Sequence, residues 1–203
     1  MQECEVRETT SSLKTGTSPG SDGLPPELYW ELLEPLMPVL TNVFNSSLHH
    51  GALSPSQYDT ILVLLAKLGA LTDIRNWRPI ALLNTDYKIL ARVLERRLGE
   101  VADRLVHCNQ SNAARGRTVA DSSCSVREVC ECACWKQWEG HLFALDQSTA
   151  FDHINLNYLW KVLKQYGLLG DFIRWLQVLY KQASVCPLVN GWLGNKVPMH
   201  MKV

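Results

Sequence analysis

The stretch Leu142-Phe143-Ala144-Leu145-Asp146-Gln147-Ser148-Thr149-Ala150-Phe151-Asp152 constrains the chain most. Its short apolar run reads as a buried strand over residues 141–147. The run closes on an acid, and an aromatic and a second acid follow five and six residues later. A carboxylate at the end of such a strand belongs at a sheet edge, because an unpaired charge is too costly to bury. Two readings fit. Asp146 can open a turn and Asp152 can cap the next helix. Alternatively, the acids can belong to a site whose other parts lie elsewhere in the chain.

Bulk properties narrow the classes. A chain of 203 residues holds one large domain or two small ones. An apolar fraction of 46% is enough to fill a core. The formal net charge is zero, so a nucleic-acid role must rest on local cationic clusters rather than on a basic excess. The opening Met-Gln-Glu-Cys-Glu-Val-Arg-Glu lacks a basic segment followed by an apolar one, so no signal peptide is expected. No apolar run reaches the ~18 residues of a membrane span. Seven cysteines without a secretory signal predict reduced thiols in an intracellular protein.

Residues 1–17 are polar and predict a disordered lead. Ser18-Pro19-Gly20-Ser21-Asp22-Gly23 is a turn cluster. Pro25-Pro26-Glu27 opens a helix over 26–34, and prolines at 35 and 38 separate it from a second helix over 36–49. Ile61-Leu62-Val63-Leu64-Leu65 lies in a predicted strand, Tyr58 to Lys67, and Arg78 to Leu83 is a returning strand. The resulting hairpin has a cation at each side of its loop, Lys67 and Arg78.

A helix over 85–105 follows, with Leu90, Leu94, Leu98, Val101 and Leu105 on its core side. Lys88, Arg92 and Arg96 share another face, either a solvated flank or a phosphate-contacting stripe. A polar loop over 107–118 leads to a helix over 119–138 that carries Cys124, Cys130, Cys132 and Cys134. Cys130 and Cys134 share a helical face while Cys132 points away. A structural zinc site would need a second cysteine pair in turns, so free thiols are expected. Helices over 156–166 and 171–182, a strand over 184–190, the Asn190-Gly191 turn and a return strand from Leu193 complete the pattern.

Five stretches, in this order, resemble motifs of the reverse transcriptases of non-LTR retrotransposons (LINE elements, vertebrate-like in wording). Ser18 to Pro25 with Glu27 and Tyr29 is similar to that family's N-terminal motif. Asn76-Trp77-Arg78-Pro79-Ile80-Ala81-Leu82-Leu83-Asn84-Thr85-Asp86-Tyr87-Lys88-Ile89-Leu90 resembles its second fingers motif. Gln110 with Gly116-Arg117 resembles the loop motif that follows, and Leu145 to Asp152 resembles motif A of the palm. Leu179-Tyr180 and Val189-Asn190-Gly191 resemble the approach to motif B.

The resemblance implies an α+β fold: helix-rich fingers over 18–138 and a partial palm over 139–203 of a right-hand polymerase, truncated before motifs B and C. It implies RNA-directed DNA synthesis with an RNA template, a DNA primer, a deoxynucleoside triphosphate and Mg²⁺, and no membrane association. In that frame Asp146 is the catalytic metal ligand, and Gln147 adds a backbone carbonyl. Phe151 is the gate against the nucleotide sugar, and Asp152 has a structural or capping role. Lys67 and Arg78 hold the triphosphate, while Lys88, Arg92, Arg96 and Arg117 contact nucleic acid.

The wording also departs from the family. Ala66-Lys67-Leu68-Gly69 stands where Pro-Lys-Lys-Gly is usual. Asn112-Ala113-Ala114-Arg115 replaces the apolar approach to Gly-Arg, and Ser148-Thr149 replaces an acidic-basic pair. The paired aspartates of motif C do not occur in these 203 residues. One carboxylate cannot hold two cations, so the isolated chain is expected to lack polymerase activity. The alternative function is a non-catalytic nucleic-acid-binding or interaction module derived from such a domain.

Overall fold

The computed structural model describes residues 1–111, 116–147 and 150–199, with side chains at all of them except 103, 151 and 152. In chain order the helices and strands are α1 (Glu3–Ser11), α2 (Pro26–Glu31), α3 (Leu33–His50), β1 (Asp59–Ala66), β2 (Trp77–Leu82), α4 (Thr85–Leu105), α5 (Val119–Trp135), α6 (Leu156–Gln165), α7 (Gly170–Tyr180), β3 (Ser184–Val189), β4 (Trp192–Leu193) and β5 (Val197–Pro198). The fold is α+β. The chain divides into two compact units, Met1–Leu94 with Asn155–Val203, and Glu95–Ile154. Within the first unit α7 shares a core with α3 and the start of α4, and β3 pairs with β1.

In the first unit, β1 is central. It pairs antiparallel with β2, from Ile61↔Leu82 to Ala66↔Trp77. It pairs parallel with β3, from Asp59↔Ser184 to Val63↔Leu188. Its run Ile61–Leu65 is continuously apolar, yet Ile61 to Leu64 are only half-buried and Leu65 is exposed. β2 lies at the edge, where the missing N–H of Pro79 is tolerated. The return strand expected from Leu193 forms in two pieces. β4 pairs with Leu188 and Val189, and β5 pairs with Ser184 and Val185. Between them the Gly194 N–H donates to the Pro187 carbonyl at 2.8 Å.

The core gathers Met37, Leu40, Phe44 and Leu48 of α3, Ile89, Leu90 and Leu94 of α4, and Val178 and Leu179 of α7. The carbonyls at the end of α7 run short of helical partners, and the Lys181 N–H reaches that of Val178 only at 3.5 Å. Two tyrosines supply them: the Tyr58 hydroxyl donates to the Val178 carbonyl at 2.9 Å and the Tyr87 hydroxyl to that of Leu179 at 3.1 Å.

The N-terminal residues depart from the expected disordered lead. Glu3–Ser11 is helical and buries Val6, Thr9 and Thr10 along one face. The Thr10 hydroxyl is satisfied by the Val6 carbonyl at 2.8 Å, so a face built mostly of threonine can be buried. Asn45 of α3 accepts from the Met1 ammonium at 2.8 Å and donates to the Met1 carbonyl at 3.0 Å. Trp30 donates through Nε1 to the Thr10 carbonyl at 2.9 Å, and Arg7 bridges Glu3 and Glu34. The polar composition concealed this helix because a single strongly apolar residue, Val6, anchors it.

The break between α2 and α3 falls at Leu32, not at the prolines. Pro35 sits in the first turn of α3, where its missing N–H has no partner to lose. Pro38 is accommodated inside the helix.

The second unit contains the end of α4 and all of α5. Thr118 and Asp121 form a reciprocal capping box at the start of α5. No residue of α5 is buried, and Val119 and Val129 are strongly exposed. The strand expected over 141–147 is not formed: residues 141–147 have no regular structure. Strand geometry is stabilised by a ladder partner, and no strand is present in this unit among the described residues.

Candidate functional site

The β1–β2 hairpin positions the first two candidate cations. β1 ends at Ala66, and the Lys67 N–H extends the ladder by donating to the Asn76 carbonyl at 2.7 Å. Arg78 lies opposite Leu65. Strand alternation therefore puts Lys67 and Arg78 on one face as diagonal neighbours. Both side chains are exposed. The Lys67 ammonium also donates to the Arg75 carbonyl at 3.3 Å.

The loop between these cations is braced from within. Asn76 donates to the Ala70 carbonyl at 2.9 Å, and the Trp77 indole donates to that of Leu71 at 3.0 Å. Gly69 has φ +125°, and a Cβ there would lie 2.7 Å from the Asn76 amide nitrogen. Asp73 accepts from the Arg75 N–H at 2.9 Å and pairs with its guanidinium at 2.7 Å. Arg75 holds the Asp73 carboxyl below its usual range through these hydrogen bonds. Arg75 is thus locally neutralised, which leaves Lys67 and Arg78 as the hairpin cations without a carboxylate partner among the described ion pairs.

The start of α4 is a second organised point. Asn84 is buried. Its Oδ1 accepts from the Ser21 hydroxyl and the Asp22 N–H, each at 3.3 Å, and its Nδ2 donates to the Ser56 carbonyl at 2.8 Å. The Thr85 hydroxyl donates to the Leu24 carbonyl at 2.7 Å. The Lys88 ammonium donates to the Ser18 carbonyl at 3.1 Å, and burial pulls its pKa down. The turn cluster at 18–23 is thereby fastened to the first turns of α4. In the sequence Gly20 belongs to the turn cluster and Asn84 to the motif resembling the second fingers motif, with nothing local to join them. The signal that would have exposed their joint role is the recurrence of small and hydrogen-bonding residues in both resembling motifs.

Lys88, Arg92 and Arg96 lie along one continuous helix at four-residue spacing. Lys88 is half-buried and engaged with Ser18, Arg92 is exposed, and Arg96 is half-buried. In the second unit, Arg117 donates through Nη1 to the carbonyls of His107 at 2.7 Å and Gln110 at 3.0 Å. This braces the loop that precedes α5.

Asp146 and Gln147 are exposed and lie in the irregular segment, where neighbouring Leu145 is 93% exposed. The backbone of Phe151 and Asp152 lies in a 3₁₀ turn, Ala150–His153, and their side chains lie outside the described set, as do Ser148 and Thr149. Asp146 belongs to the Glu95–Ile154 unit, and Lys67 and Arg78 belong to the other.

A divalent cation takes several oxygen ligands. Among the described residues no group of three or more His, Cys, Asp or Glu side chains could hold a metal ion. Asp146 with the Gln147 carbonyl does not amount to such a set, so these residues do not by themselves fit a two-metal centre. No helix among the described residues is long and apolar enough to cross a membrane.

Residues 67–198 match the family model for reverse transcriptase (RNA-dependent DNA polymerase). The chain is also 32% identical over 186 residues to the "Transposon TX1 uncharacterized 149 kDa protein" of Xenopus laevis. That match covers 92% of this chain and 14% of the Xenopus protein. The chain belongs to the reverse transcriptase family, and the transposon relative agrees with the non-LTR retrotransposon type that its motif order resembles. Members of this family work on a nucleic-acid template with nucleotide substrates and use divalent metal ions.

Proposed function

We propose that this chain is the fingers region and first part of the palm of an RNA-directed DNA polymerase, and that Lys67 and Arg78 receive the triphosphate of the incoming deoxynucleotide. The observation that carries this reading is the shared face of these two cations at the mouth of a braced hairpin, inside the matched region. Charge neutralisation and positioning are most of what a protein offers in phosphoryl transfer. Arg78 suits bidentate phosphate contact and Lys67 acts as a point charge. Arg92, Arg96, Arg117 and Lys88 are the proposed contacts to the RNA template and DNA primer backbone. Such work takes place inside the cell, where template and deoxynucleotides are present.

Asp146 is the proposed carboxylate of motif A, Gln147 its neighbouring carbonyl, Phe151 the proposed sugar gate, and Mg²⁺ the proposed cation. Because Asp146 and the Gln147 carbonyl do not make a complete set, the 203-residue polypeptide is catalytically incomplete and binds its substrates without turning them over. The test is primer extension beside equilibrium binding of a deoxynucleoside triphosphate and of single-stranded RNA at low salt. Binding that weakens as salt rises, without extension, supports the reading. Extension that is abolished by Asp146→Ala overturns the claim of incompleteness. RNA binding with no triphosphate binding favours the non-catalytic module instead.

A further inference from the structure

α5 carries four cysteines that the proposed polymerase role does not use: Cys124, Cys130, Cys132 and Cys134 are all free and exposed. α5 is helical from Val119 to Trp135, so both Cys130 and Cys134 lie in regular helix. Residues four apart on a helix have Cβ atoms about 5–6 Å apart and face one another. Residues two apart do not, which directs Cys132 to the opposite side. Cys124 and Cys130 are six apart and fall on different faces.

The surroundings leave this pair accessible. No residue of α5 is buried. Arg127, one turn before Cys130, is paired with Glu131 at 3.3 Å. Past the helix end, the Lys136 ammonium lies 4.8 Å from the centre of the Trp138 ring. The helix end is closed by the N–H groups of Lys136, Gln137 and Trp138, which donate to the carbonyls of Cys132, Cys134 and Ala133 at 2.9–3.1 Å. The two sulfurs therefore project from a backbone that is held by its own hydrogen bonds.

We propose that Cys130 and Cys134 form a bidentate dithiol site for a thiophilic centre that takes two sulfur ligands, such as a trivalent arsenical or a monovalent soft metal ion. Tetrahedral zinc is the wrong occupant, because it requires four ligands and the facing pair supplies two. Soft centres prefer thiolate over the oxygen ligands elsewhere on the chain. With a trivalent arsenical oxide, two As–S bonds form and the arsenic–oxygen bond breaks. The oxygen leaves as water with both thiol protons, and arsenic stays trivalent. With a monovalent cation the two thiols bind as thiolates and release both protons to solvent.

The test uses the full chain under reducing, anaerobic conditions. Phenylarsine oxide and Cu(I) are each titrated against the parent chain, Cys130→Ser, Cys134→Ser, and the controls Cys124→Ser and Cys132→Ser. Free thiols, intact mass and peptide mapping are the readouts. The first equivalent of either probe is expected to remove two thiols together and to map to the peptide holding 130 and 134. Either serine at these positions should abolish that paired loss, and the two controls should retain it. Paired loss that survives Cys130→Ser with Cys134→Ser, or that is equally lost in Cys132→Ser, overturns the proposal, as does the loss of single thiols only with both probes. Because α5 buries nothing, folding of the variants is checked simply by unchanged circular dichroism. A bridged pair should also slow amide exchange over residues 130–134, which random thiol capture would not do.

Discussion

Gly20 lies so close to Asn84 that a Cβ on Gly20 would sit 2.0 Å from the Asn84 Oδ1 and 2.4 Å from its backbone nitrogen. Much of that obstruction is backbone and a buried amide hydrogen-bonded to Ser21, Asp22 and Ser56, so it cannot swing aside. Gly20→Ala is expected to destabilise the chain by about 1–3 kcal/mol. A melt should register this as a fall of roughly 2–4 °C per kcal/mol. Asn84→Ala should cost a similar amount by leaving the Ser56 carbonyl and Asp22 N–H without this partner. A Gly20→Ala melt equal to the parent's would show that residues 18–23 are not fastened to α4.

The Tyr58 hydroxyl joins residues 120 apart in sequence, since it donates to the Val178 carbonyl while accepting from the Leu53 N–H at 3.0 Å. Tyr58→Phe keeps the ring and leaves both groups buried without it. The expected loss is about 1–3 kcal/mol. Tyr87→Phe removes one bond, to Leu179, in a less buried setting and should cost less. Denaturant titration of the two variants orders them.

Thr41 presents the opposite case. Its hydroxyl is buried in α3 and makes no hydrogen bond with the described residues. Thr41→Val replaces it with a methyl of similar shape and removes the desolvation penalty. The midpoint of urea unfolding should rise, by an amount equivalent to about 1 kcal/mol. An unchanged or lower midpoint would indicate that the hydroxyl is satisfied.

Asp86 governs a pH dependence. Burial raises its pKa, outweighing the hydrogen bonds from the Gln57 amide at 2.8 Å and the Tyr87 N–H at 2.7 Å. A carboxyl whose folded pKa lies above its unfolded value holds its proton more tightly when folded. Its contribution is full below the ordinary aspartate range, near pH 3.9, and is lost as pH rises through the folded pKa. The stability difference between parent and Asp86→Asn should therefore shift in favour of the asparagine as pH rises from about 3 to 7. A difference that is flat with pH, or that moves the other way, would refute the raised pKa. Asp73 and Glu34, whose pKa values are lowered by arginine partners, act in the opposite sense in both chains and cancel in the comparison.

Lys67→Ala and Arg78→Ala should each weaken triphosphate binding by about ten- to a hundredfold, the scale of a charged hydrogen bond worth roughly 1.5–3 kcal/mol. The effect should shrink as ionic strength rises. Arg75→Ala, which removes a cation already paired with Asp73, should change binding much less. Equal effects from all three substitutions would mean a diffuse field rather than a shared face.

The local parts of this fold were readable in residue order. The β1–β2 hairpin joins neighbours in sequence, and its apolar run with flanking Lys67 and Arg78 announces both strands. α4 declares itself through leucines at helical spacing. Other parts were not readable. α1 packs with two threonines and one valine, a pattern indistinguishable from a solvated lead until α3 is there to receive it. The segment 141–147 has the composition of a strand but no ladder partner in its unit among the described residues. The braces at Asn84 and Tyr58 each depend on a carbonyl far away in the chain.

The family, the hairpin cations and the order of the motifs are legible in the chain alone, because residue identity and short spacing carry them. Tertiary structure alone decided that β3 lies parallel to β1, with Ser184 and Asp59 joined across 125 residues by a 3.1 Å hydrogen bond. It also decided that the N-terminal helix is part of the core, and that Asp146 stands exposed rather than at the end of a paired strand. The physical reason is shared: pairing and burial are properties of two surfaces that meet, and a single stretch of sequence encodes only one of them.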